Sequence, residues 1–499
     1  MKDNPLMDDQ QAGVKTIKVL FMASEAEPFV KVGGLGDVAG SLPKALCEIK
    51  EYSGQKITLD VRLVLPYHGA IKDRSIHSEL IASFSMNYKN NDLPVNIYYT
   101  DYSGIPVYLV DGEKIPTDAP VYSSDNQIDT DKYGFFSLAS LLMTRYINWE
   151  PDIIHSNDWH TALAPSFLKH LQHNILINPK TKSLLTIHNL PFFGSPSDQL
   201  FIEYGLPFSP DQRQPVWAQR LPLPIGIAAA DKINTVSDTY AQELLTPEFG
   251  CGLNDYLLTI KDKISGIING IDYSQWDPNS DPLISSNYST DTIINKQLNK
   301  NALLDMLGFK LNNMDIPLLG IIGRLDYQKG IDIAIEGLRT ITDLPWNLVI
   351  LGTGSQQLET EINVFASEFA DRIKTVLKFD IPLSHHIYAG ADILLMPSRY
   401  EPCGLAQMIA MKYATLPFAR SAGGLKDTIT SHSPTITGNG FLFTEATSLS
   451  FAEALPQALK VYENKKVWAN MQYNAMSADF SWKQSALQYT ELYLDLMGE

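Results

Sequence analysis

Short apolar runs separated by helix-like segments recur along this chain, and this alternation restricts its fold more than any other feature. The first run, Ile17 to Ala23, follows a polar leader and is typical of a strand that is buried on both faces. Similar runs follow at Val61–Leu65, Pro106–Val110, Asp152–His155, Ser183–Ile187 and Lys232–Val236. Strands that alternate with helices predict a doubly wound sheet of parallel strands.

The same alternation restarts in the second half of the chain. A polar stretch at Asp277–Lys300 separates the two series. Further strands are predicted at Leu318–Gly323, Asn347–Leu351, Thr375–Phe379 and Ile393–Pro397. At 499 residues the chain is too long for a single core, because cores stop growing near about 250–300 residues. We therefore predict two α/β domains, residues 16–268 and 279–481, with a last helix at 482–499 that packs back on the first domain.

The charge of the chain excludes whole classes of partner. Lys and Arg number 39 against 56 Asp and Glu, and the formal net charge of -17 repels nucleic acid and anionic lipid. No stretch approaches the roughly 18 uninterrupted apolar residues of a membrane span. We expect no nucleic acid and no membrane as a partner. A neutral polysaccharide is compatible with this charge, and a nucleotide needs only a local basic pocket.

The cysteines and the first residues predict a cytoplasmic location. Cys47, Cys251 and Cys403 are far apart and form no C-x-x-C pair, so neither a disulfide framework nor a zinc site is expected. The leader MKDNPLMDDQQAGV contains three Asp and no apolar run, unlike a signal or transit peptide. We expect no metal and no cofactor.

A glycine-rich loop, Lys31-Val-Gly-Gly-Leu-Gly-Asp37, follows the first predicted strand and precedes a predicted helix at Val38–Leu46. Glycines let the backbone approach a ligand, and N–H groups at a helix start favour phosphate or sugar oxygens. The letters from Gly34 to Ala39 also fit a dinucleotide fingerprint. In that motif the glycines directly follow the strand, whereas Ser24 to Val32 intervene here, so a dehydrogenase is disfavoured.

Polar residues end two further strands of the first series. One run reads His155-Ser-Asn-Asp158-Trp159-His160, and His188-Asn189 ends another strand. Ligands bind at the carboxyl ends of strands in open α/β sheets, so these residues predict a convergent site. Their spacing fits no common zinc pattern. Planar hydrogen-bonding groups and a Trp face suit a sugar, although a lone cluster of this kind is structural about half the time.

Two cations lie in the loop after the first strand of the second series. Arg324 and Lys329 stand in Gly323-Arg-Leu-Asp-Tyr-Gln-Lys-Gly330. An isolated basic pair is usually solvated surface. At a strand end, one guanidinium fork and one ammonium point charge instead suit a diphosphate leaving group, without a metal.

A carboxylate and a glycine pair complete the second set. Glu401 stands in PSRYEPCGLAQ, just before Gly404 and a predicted helix at Leu405–Tyr413. Gly423 and Gly424 open a further helix, whose N–H groups favour phosphate. A surface carboxylate or a helix cap is the alternative for Glu401.

An ordered set of segments resembles one enzyme family. The segments are KVGGLGD, HSNDWHTAL, HNLPFFG, TPEFGCGL, NGIDYSQWDP, GRLDYQKGID and PSRYEPCGLAQ, and together they resemble glycogen and starch synthases that use ADP-glucose. The resemblance extends from about Ile17 to the C-terminus. It implies a retaining glycosyltransferase of GT-B architecture, in which two Rossmann-like domains with parallel sheets face a deep cleft. ADP-glucose would be the donor, and glycogen or another α-glucan the acceptor.

The resemblance also implies roles for individual residues of the first domain. Asp37 would hold the acceptor end or glucose hydroxyls, and Asp158 and His188 would grip the transferred glucose. The residues that would meet donor phosphate and glucose are Lys31, Gly33, Gly34 and Gly36. Lys31, Asp158 and His188 are catalytic candidates together with Glu401.

In the second domain the resemblance places the rest of the donor site. Arg324 and Lys329 would bind the diphosphate, and Phe379 would stack on the base. Glu401 would lie beside the anomeric carbon. The remaining donor contacts would be Asn269 at the glucose or hinge side, Cys403 and Gly404 next to Glu401, and the amides of Gly423 and Gly424 at the phosphates.

Some positions depart from the family pattern. The family commonly has Tyr-Gln where Phe192-Phe193 stand, a second His at Asn157, Thr at Ala422, Tyr at Phe379, and a Lys near Ile225. These changes bear on the preferred acceptor and on the nucleotide base of the donor. They leave two alternatives open. One is the same fold with UDP-glucose or another acceptor, and the other is a catalytically silent glucan-binding or regulatory protein.

Overall fold

The computed structural model describes residues 14–74, 76–310 and 315–498, so the polar leader at residues 1–13 lies outside the described residues. The chain forms two compact units. Unit 1 contains the residues up to Thr235, Leu244–Ile267 and the residues from Trp482 onward. Unit 2 contains Val236–Glu243 and Ile268–Ser481.

The strands of unit 1 form one mixed sheet. They are β1 Lys15–Met22, β2 Glu51–Tyr52, β3 Gln55–Pro66, β4 Glu79–Tyr88, β5 Asn91–Tyr102, β6 Ile105–Asp111, β7 Ile153–Asn157, β8 Lys182–Ile187, β9 Lys232–Thr235 and β10 Ile264–Gly266. Their order across the sheet is β10-β9-β8-β7-β1-β3-β6-β5-β4, and β2 pairs with β3. The strands from β10 to β6 are parallel, as predicted.

The helices follow the strands in the expected alternation. They are α1 Gly34–Glu48, α2 Gly69–Lys72, α3 Asn126–Tyr146, α4 Asp158–Thr161, α5 Leu163–His173, α6 Asp198–Glu203, α7 Pro222–Ala229, α8 Asp238–Glu243, α9 Asn254–Thr259, α10 Lys296–Met306, α11 Ile331–Thr340, α12 Gln356–Glu368, α13 Ile381–Gly390, α14 Ala406–Lys412, α15 Gly423–Thr428, α16 Ser448–Glu463, α17 Lys465–Ser477 and α18 Trp482–Met497. Of these, α8 and the helices from α10 to α17 belong to unit 2.

We did not predict the antiparallel extension of the first sheet. β6 pairs with β5, and β5 pairs with β4, in antiparallel register. The hairpin turns at Lys89 and Asn90, whose φ angles of 53° and 60° fit a type I′ turn. Buried and exposed residues alternate along much of β4 and β5. Such alternation is typical of a sheet that is covered on one face only. The prediction relied on continuous apolar runs and therefore did not identify these two strands.

α1 and α18 pack together against the sheet of unit 1. Leu42 and Leu46 of α1 share one buried cluster with Phe21 of β1 and with Tyr489 and Tyr493 of α18. The last helix of the chain therefore supplies part of the core of the first unit.

The hydroxyls of α18 also satisfy polar groups inside the sheet. The Tyr493 hydroxyl hydrogen-bonds to His155 Nδ1 at 2.8 Å, and Thr186 Oγ1 lies 2.8 Å from His155 Nε2. Asn234 Nδ2 donates to the Tyr489 hydroxyl at 2.9 Å. Burial lowers the pKa of His155 to about 3, so the ring is neutral. His155 was expected among the ligand-binding residues at the edge, and that expectation is wrong, because the residue is buried inside the sheet.

Unit 2 has one parallel sheet. Its strands are β11 Leu318–Ile322, β12 Asn347–Leu351, β13 Ile373–Val376, β14 Ile393–Met396, β15 Leu416–Arg420 and β16 Phe441–Phe443. Their order is β13-β12-β11-β14-β15-β16. β13 ends at Val376, whereas the predicted strand continued to Phe379. Residues 377–380 form the loop to α13, which Asp380 caps by accepting the Leu383 N–H at 3.0 Å.

The polar stretch Asp277–Lys300 is folded into unit 2. The buried carboxylate of Asp281 lies 2.7 Å from His385 Nδ1 and accepts the Tyr413 hydroxyl at 2.6 Å. The buried Nζ of Lys296 lies 2.7 to 3.2 Å from four oxygen atoms, more than the three that its N–H groups can bond at once. Buried polar side chains are usually hydrogen-bonded in this way, so polar composition alone does not identify a linker.

The prediction of two α/β units is confirmed, and the sheet of unit 2 and the strands from β10 to β6 of unit 1 are parallel as predicted. Among the residues that the structure describes, no helix combines the length and the apolar character needed to cross a membrane.

Replacing Tyr493 by Phe tests the contribution of α18 to unit 1. The change leaves His155 Nδ1 buried without its hydroxyl partner, and we expect a loss of about 1–3 kcal/mol of local stability. Native-state hydrogen exchange of the β7 amides measures this loss. Gln488→Ala, on the exposed face of the same helix, is the control. Equal protection of β7 in the two variants would contradict the prediction.

Candidate active site

The loop between β1 and α1 places Lys31 against two carboxylates. Lys31 Nζ donates to Glu27 Oε2 at 3.0 Å and to Asp37 Oδ1 at 2.5 Å. Burial opposes the charge on Lys31, but the hydrogen bond and charge of Asp37 outweigh it and raise the pKa of Lys31. Burial also raises the pKa of Asp37, against the effect of Lys31. Lys31 and Asp37 are therefore brought together, and the Lys31 side chain remains 41% exposed.

A buried carboxylate that we did not predict holds this loop. Glu25 is 1% exposed and follows β1. It accepts hydrogen bonds from the backbone N–H groups of Val32 and Gly33 and from the Tyr122 hydroxyl at 2.9 Å. A buried carboxylate needs such donors, because desolvation of the unpaired charge is costly. A Glu in a polar segment resembles a surface residue in the sequence, so no sequence signal identified it.

The glycines of the loop make room for Glu25. A Cβ atom on Gly33 would lie 3.3 Å from Glu25 Oε1, and one on Gly36 would lie 3.2 Å from Oε2. A Cβ atom on Gly34 would meet nothing within 4 Å. The amide of Gly33, which we expected to face a ligand, donates to Glu25 instead, as does the amide of Val32. On this loop the Lys31 side chain is partly exposed and the space beside Gly34 is open.

Asp158 and His188 meet at the ends of the adjacent strands β7 and β8. Asp158 Oδ1 accepts the backbone N–H of His188 at 2.7 Å and that of Asn189 at 3.3 Å. His188 Nε2 lies 2.9 Å from Asn157 Oδ1. Because Asn157 Nδ2 donates to the Met22 carbonyl, its Oδ1 is an acceptor and His188 Nε2 is the donor. Nδ1 of His188 is then the unprotonated nitrogen.

Burial controls the protonation of this pair. It raises the pKa of Asp158 to about 7, against the two backbone N–H groups, and the nearby charge of Glu25 raises it further. It lowers the pKa of His188 to about 4, so the imidazole is neutral at pH 7. Near neutrality, Asp158 and His188 form a weakly charged hydrogen-bonding pair.

In unit 2 the loops after β11 and β14 bring Lys329 and Glu401 together. Lys329 Nζ donates to Glu401 Oε1 at 2.9 Å and to Oε2 at 2.7 Å. The Ser398 hydroxyl donates to Oε2 at 2.9 Å. Glu401 is only 5% exposed. It is therefore a paired, buried carboxylate and not the surface carboxylate that the sequence left possible.

The second cation of this loop is more accessible. Arg324 has a side chain that is 67% exposed, and its NH1 lies 3.0 Å from Asp326 Oδ2. Asp326 also accepts the Lys329 N–H at 3.1 Å, which orders the turn between the two cations. The loop after β11 thus carries both the exposed guanidinium of Arg324 and the Lys329 ammonium that pairs with Glu401.

Close backbone contact fixes the Lys329 loop against the Glu401 loop. Gly330 has a φ angle of 64°, and a Cβ atom there would lie 2.1 Å from the Pro397 carbonyl oxygen. Only glycine allows this backbone conformation and approach without strain. Gly330 therefore helps to set the distance between Lys329 and Glu401.

Cys403 and Asn269 lie in the interior of unit 2. Burial raises the pKa of the Cys403 thiol to about 12, although a hydrogen bond with the Asn269 backbone opposes this shift. The thiol is therefore protonated at neutral pH. Asn269 is 5% exposed, and its Oδ1 has no hydrogen-bond partner in the described structure. Gly404 has a φ angle of 73° and a Cβ there would meet the Gln407 side chain at 2.4 Å.

The amides of Gly423 and Gly424 donate to protein acceptors. Gly423 N–H donates to Glu243 Oε1 at 3.0 Å, and Gly424 N–H donates to the Glu401 carbonyl at 3.1 Å. Cβ atoms at these positions would collide with the carbonyl oxygens of Glu401 and Cys403. The glycines thus permit close packing behind Glu401. A phosphate could take the Gly423 amide only by displacing Glu243.

Phe379 lies in the loop between β13 and α13 and is 81% exposed. Stacking of its ring on a base stays a prediction. Within residues 14–74, 76–310 and 315–498, no group of three or more His, Cys, Asp or Glu side chains is arranged to hold a metal ion.

Comparison with known proteins assigns both units. Residues 18–259 match the family described as starch synthase catalytic domain, and residues 308–475 match glycosyl transferases group 1. A glycogen synthase from Kosmotoga olearia is 37% identical over 493 residues, which cover 97% of this chain and 98% of that protein. A glycogen synthase from Clostridium perfringens is 37% identical over 492 residues, with 97% and 99% coverage.

A solved structure agrees with these relatives. The catalytic domain of Starch Synthase IV from Arabidopsis thaliana, bound to ADP and acarbose, superposes with a TM-score of 0.84 at 30% identity and covers 98% of this chain and 100% of that chain. The order of the motifs, the fold of both units and the near-complete coverage of the relatives lead to one assignment. The chain belongs to the glycogen and starch synthase family of glycosyltransferases.

Proposed function

We propose that this protein is a glycogen synthase that transfers glucose from ADP-glucose to the non-reducing end of an α-1,4-glucan, with retention at the anomeric carbon. The observation that carries the proposal is the pairing of Lys329 with the buried Glu401, together with the exposed Arg324 in the same loop as Lys329. The names of the relatives support it, as do the ADP and acarbose bound to the Arabidopsis enzyme. A cytoplasmic location stays a prediction.

We assign the leaving diphosphate to the cations of unit 2. An ammonium has three N–H donors, and Lys329 directs two of them at the oxygens of Glu401, which leaves one for a phosphate oxygen. Arg324 supplies a planar fork for a second phosphate oxygen. Positive charge that is already in place stabilises the diphosphate as its bond to the sugar breaks, so these side chains take the part that a divalent metal has in other transferases.

Glu401 acts on the sugar, from which the diphosphate departs. As the diphosphate departs, positive charge develops on the sugar ring, and the carboxylate stabilises that charge or orients the sugar hydroxyls. Lys329 and Ser398 fix the position of the carboxylate. Retention follows either from attack on the face that the diphosphate leaves, with the diphosphate as base, or from a covalent intermediate.

The transferred glucose is assigned to residues of unit 1. The neutral His188 and the partly ionised Asp158 accept and donate hydrogen bonds without a full charge, which suits an uncharged sugar. Lys31 adds a cation for donor phosphate, and Asp37 a carboxylate for sugar hydroxyls. UDP-glucose is the second candidate donor, because Phe379 lacks the hydroxyl usual at that position.

The donor is tested by measuring nucleotide release from purified protein with glycogen primer. We expect ADP release from ADP-glucose to be faster than UDP release from UDP-glucose. Faster UDP release would favour the alternative donor. No release from either donor would favour a silent glucan-binding protein.

Removing either cation tests the leaving-group assignment. Arg324→Ala and Lys329→Ala should each lower turnover by roughly 10²-fold or more, because the departing diphosphate loses a preorganised positive charge. Lys466→Ala, at an exposed lysine of α17, is the matched control. Near-normal turnover in both cation variants would refute the assignment.

Glu401→Gln keeps the shape of the side chain and removes its charge. We expect turnover to fall by about 10²-fold with little change in donor affinity, because the charge acts in the transition state. Steady-state kinetics and ADP-glucose binding measure the two quantities separately. Glu453→Gln, on the exposed surface of α16, controls for loss of a carboxylate. Wild-type turnover in Glu401→Gln would exclude this role.

A further inference from the structure

Two aromatic side chains of unit 1, those of Phe193 and Trp217, are in contact, and the exposed Phe192 directly precedes Phe193 in the chain. Phe192 is 56% exposed and Trp217 is 48% exposed. The ring of Phe193 lies 5.5 Å from that of Trp217, with 58° between the ring planes. We refer to Phe192, Phe193 and Trp217 as the aromatic platform. None of these residues has a role in the reaction as derived above.

The backbone holds the platform in a fixed position. The Phe193 carbonyl accepts the Leu223 N–H at 3.2 Å, which ties it to the start of α7. Trp217 packs on the turn at Cys251 and Gly252, where both residues have left-handed φ angles of 49° and 79°. A Cβ atom on Gly252 would lie 3.3 Å from the indole. The glycine therefore leaves just enough space for Trp217.

The platform begins close to the proposed sugar-binding residues. Phe192 N–H donates to the Asn189 carbonyl at 3.4 Å, so the chain turns directly after His188. His188 in turn pairs through its backbone with Asp158. The platform is thus continuous along the chain with the carboxyl edge of β8.

The chemistry of the platform suits a neutral sugar polymer. Exposed aromatic groups in contact with each other are costly in water and mark binding surfaces when they are clustered. An aromatic face is electron-rich and the face of a glucose ring presents C–H groups, so the two stack. The platform itself contains no charged side chain, and an α-glucan carries no charge. Family members commonly have a hydrogen-bonding Tyr-Gln pair where Phe192 and Phe193 stand.

We propose that the aromatic platform binds the acceptor α-glucan of this protein by stacking on its glucosyl units. The inference deepens the proposed function and rests on it for the identity of the acceptor. Stacking replaces hydrogen bonds at Phe192 and Phe193, and Trp217 extends the contact along the chain of sugars.

Binding is measured first, without any donor, as retardation of the protein in native gels that contain glycogen. Trp217→Ala and Phe192→Ala should each weaken glycogen binding by about fivefold to tenfold, because each removes one stacking face. Trp217→Phe keeps a flat ring and should retain most of the affinity. Tyr473→Ala, at a 55% exposed aromatic residue of α17, is the matched control and should bind as the wild type does.

Kinetics then separate the platform from the donor site. In Trp217→Ala the KM for glycogen should rise by about fivefold to tenfold, as the affinity for glycogen falls. The KM for ADP-glucose should stay within about twofold of the wild-type value, because stacking contributes to acceptor binding only. The rate with maltose should fall less than the rate with glycogen, since a disaccharide covers less of the platform.

The outcomes distinguish this proposal from the proposed function. Glycogen affinity within about twofold of wild type in both alanine variants would overturn the platform, and so would an equal loss in Tyr473→Ala. Retardation that depends on Trp217, in a protein that releases nucleotide from neither donor, would support the platform while refuting the synthase.

Discussion

Parallel pairing of β1, β7 and β8 decides where the chemistry of unit 1 lies. These strands are neighbours and run in the same direction, so the residues that follow them emerge at one edge of the sheet. Glu25 follows β1, Asp158 follows β7 and His188 follows β8. Side chains that are far apart in sequence become neighbours for this reason. Unit 2 obeys the same constraint, because Lys329 follows β11 and Glu401 follows β14, two strands that pair directly.

Burial gives the two units different electrostatic characters. In unit 1, desolvation brings the pKa of Asp158 to about 7 and that of His188 to about 4, which leaves little net charge on this pair. In unit 2 the buried Glu401 is paired with Lys329, and Arg324 remains exposed. Hydrogen-bonding groups with little charge suit a sugar, whereas an exposed guanidinium suits a phosphate.

Much of the fold followed from apolar runs, and the rest depended on information that local sequence lacks. Fully buried strands such as β12 were located to the residue. β4 and β5 were missed because only one face of each is covered. His155 was wrongly assigned to the edge of the sheet because a run of polar residues does not show at which residue the strand ends. Glu25 was missed because its partners are two backbone amides, which any sequence possesses, and the hydroxyl of Tyr122, which is distant in sequence. The pairing of Lys329 with Glu401 could not be predicted without the strand order, which places β11 beside β14.

The connectivity of the units has a consequence for synthesis of the chain. The chain passes from one unit to the other after Thr235, Glu243, Ile267 and Ser481, so unit 1 is assembled from separate stretches. β7 and β9 leave the ribosome long before α18, and His155 and Asn234 gain their tyrosine partners only when α18 has been translated. Unit 2 has by then been translated in full. The unit whose first strand is made first is therefore the last to be completed, and His155 and Asn234 lack these hydroxyl partners until α18 arrives.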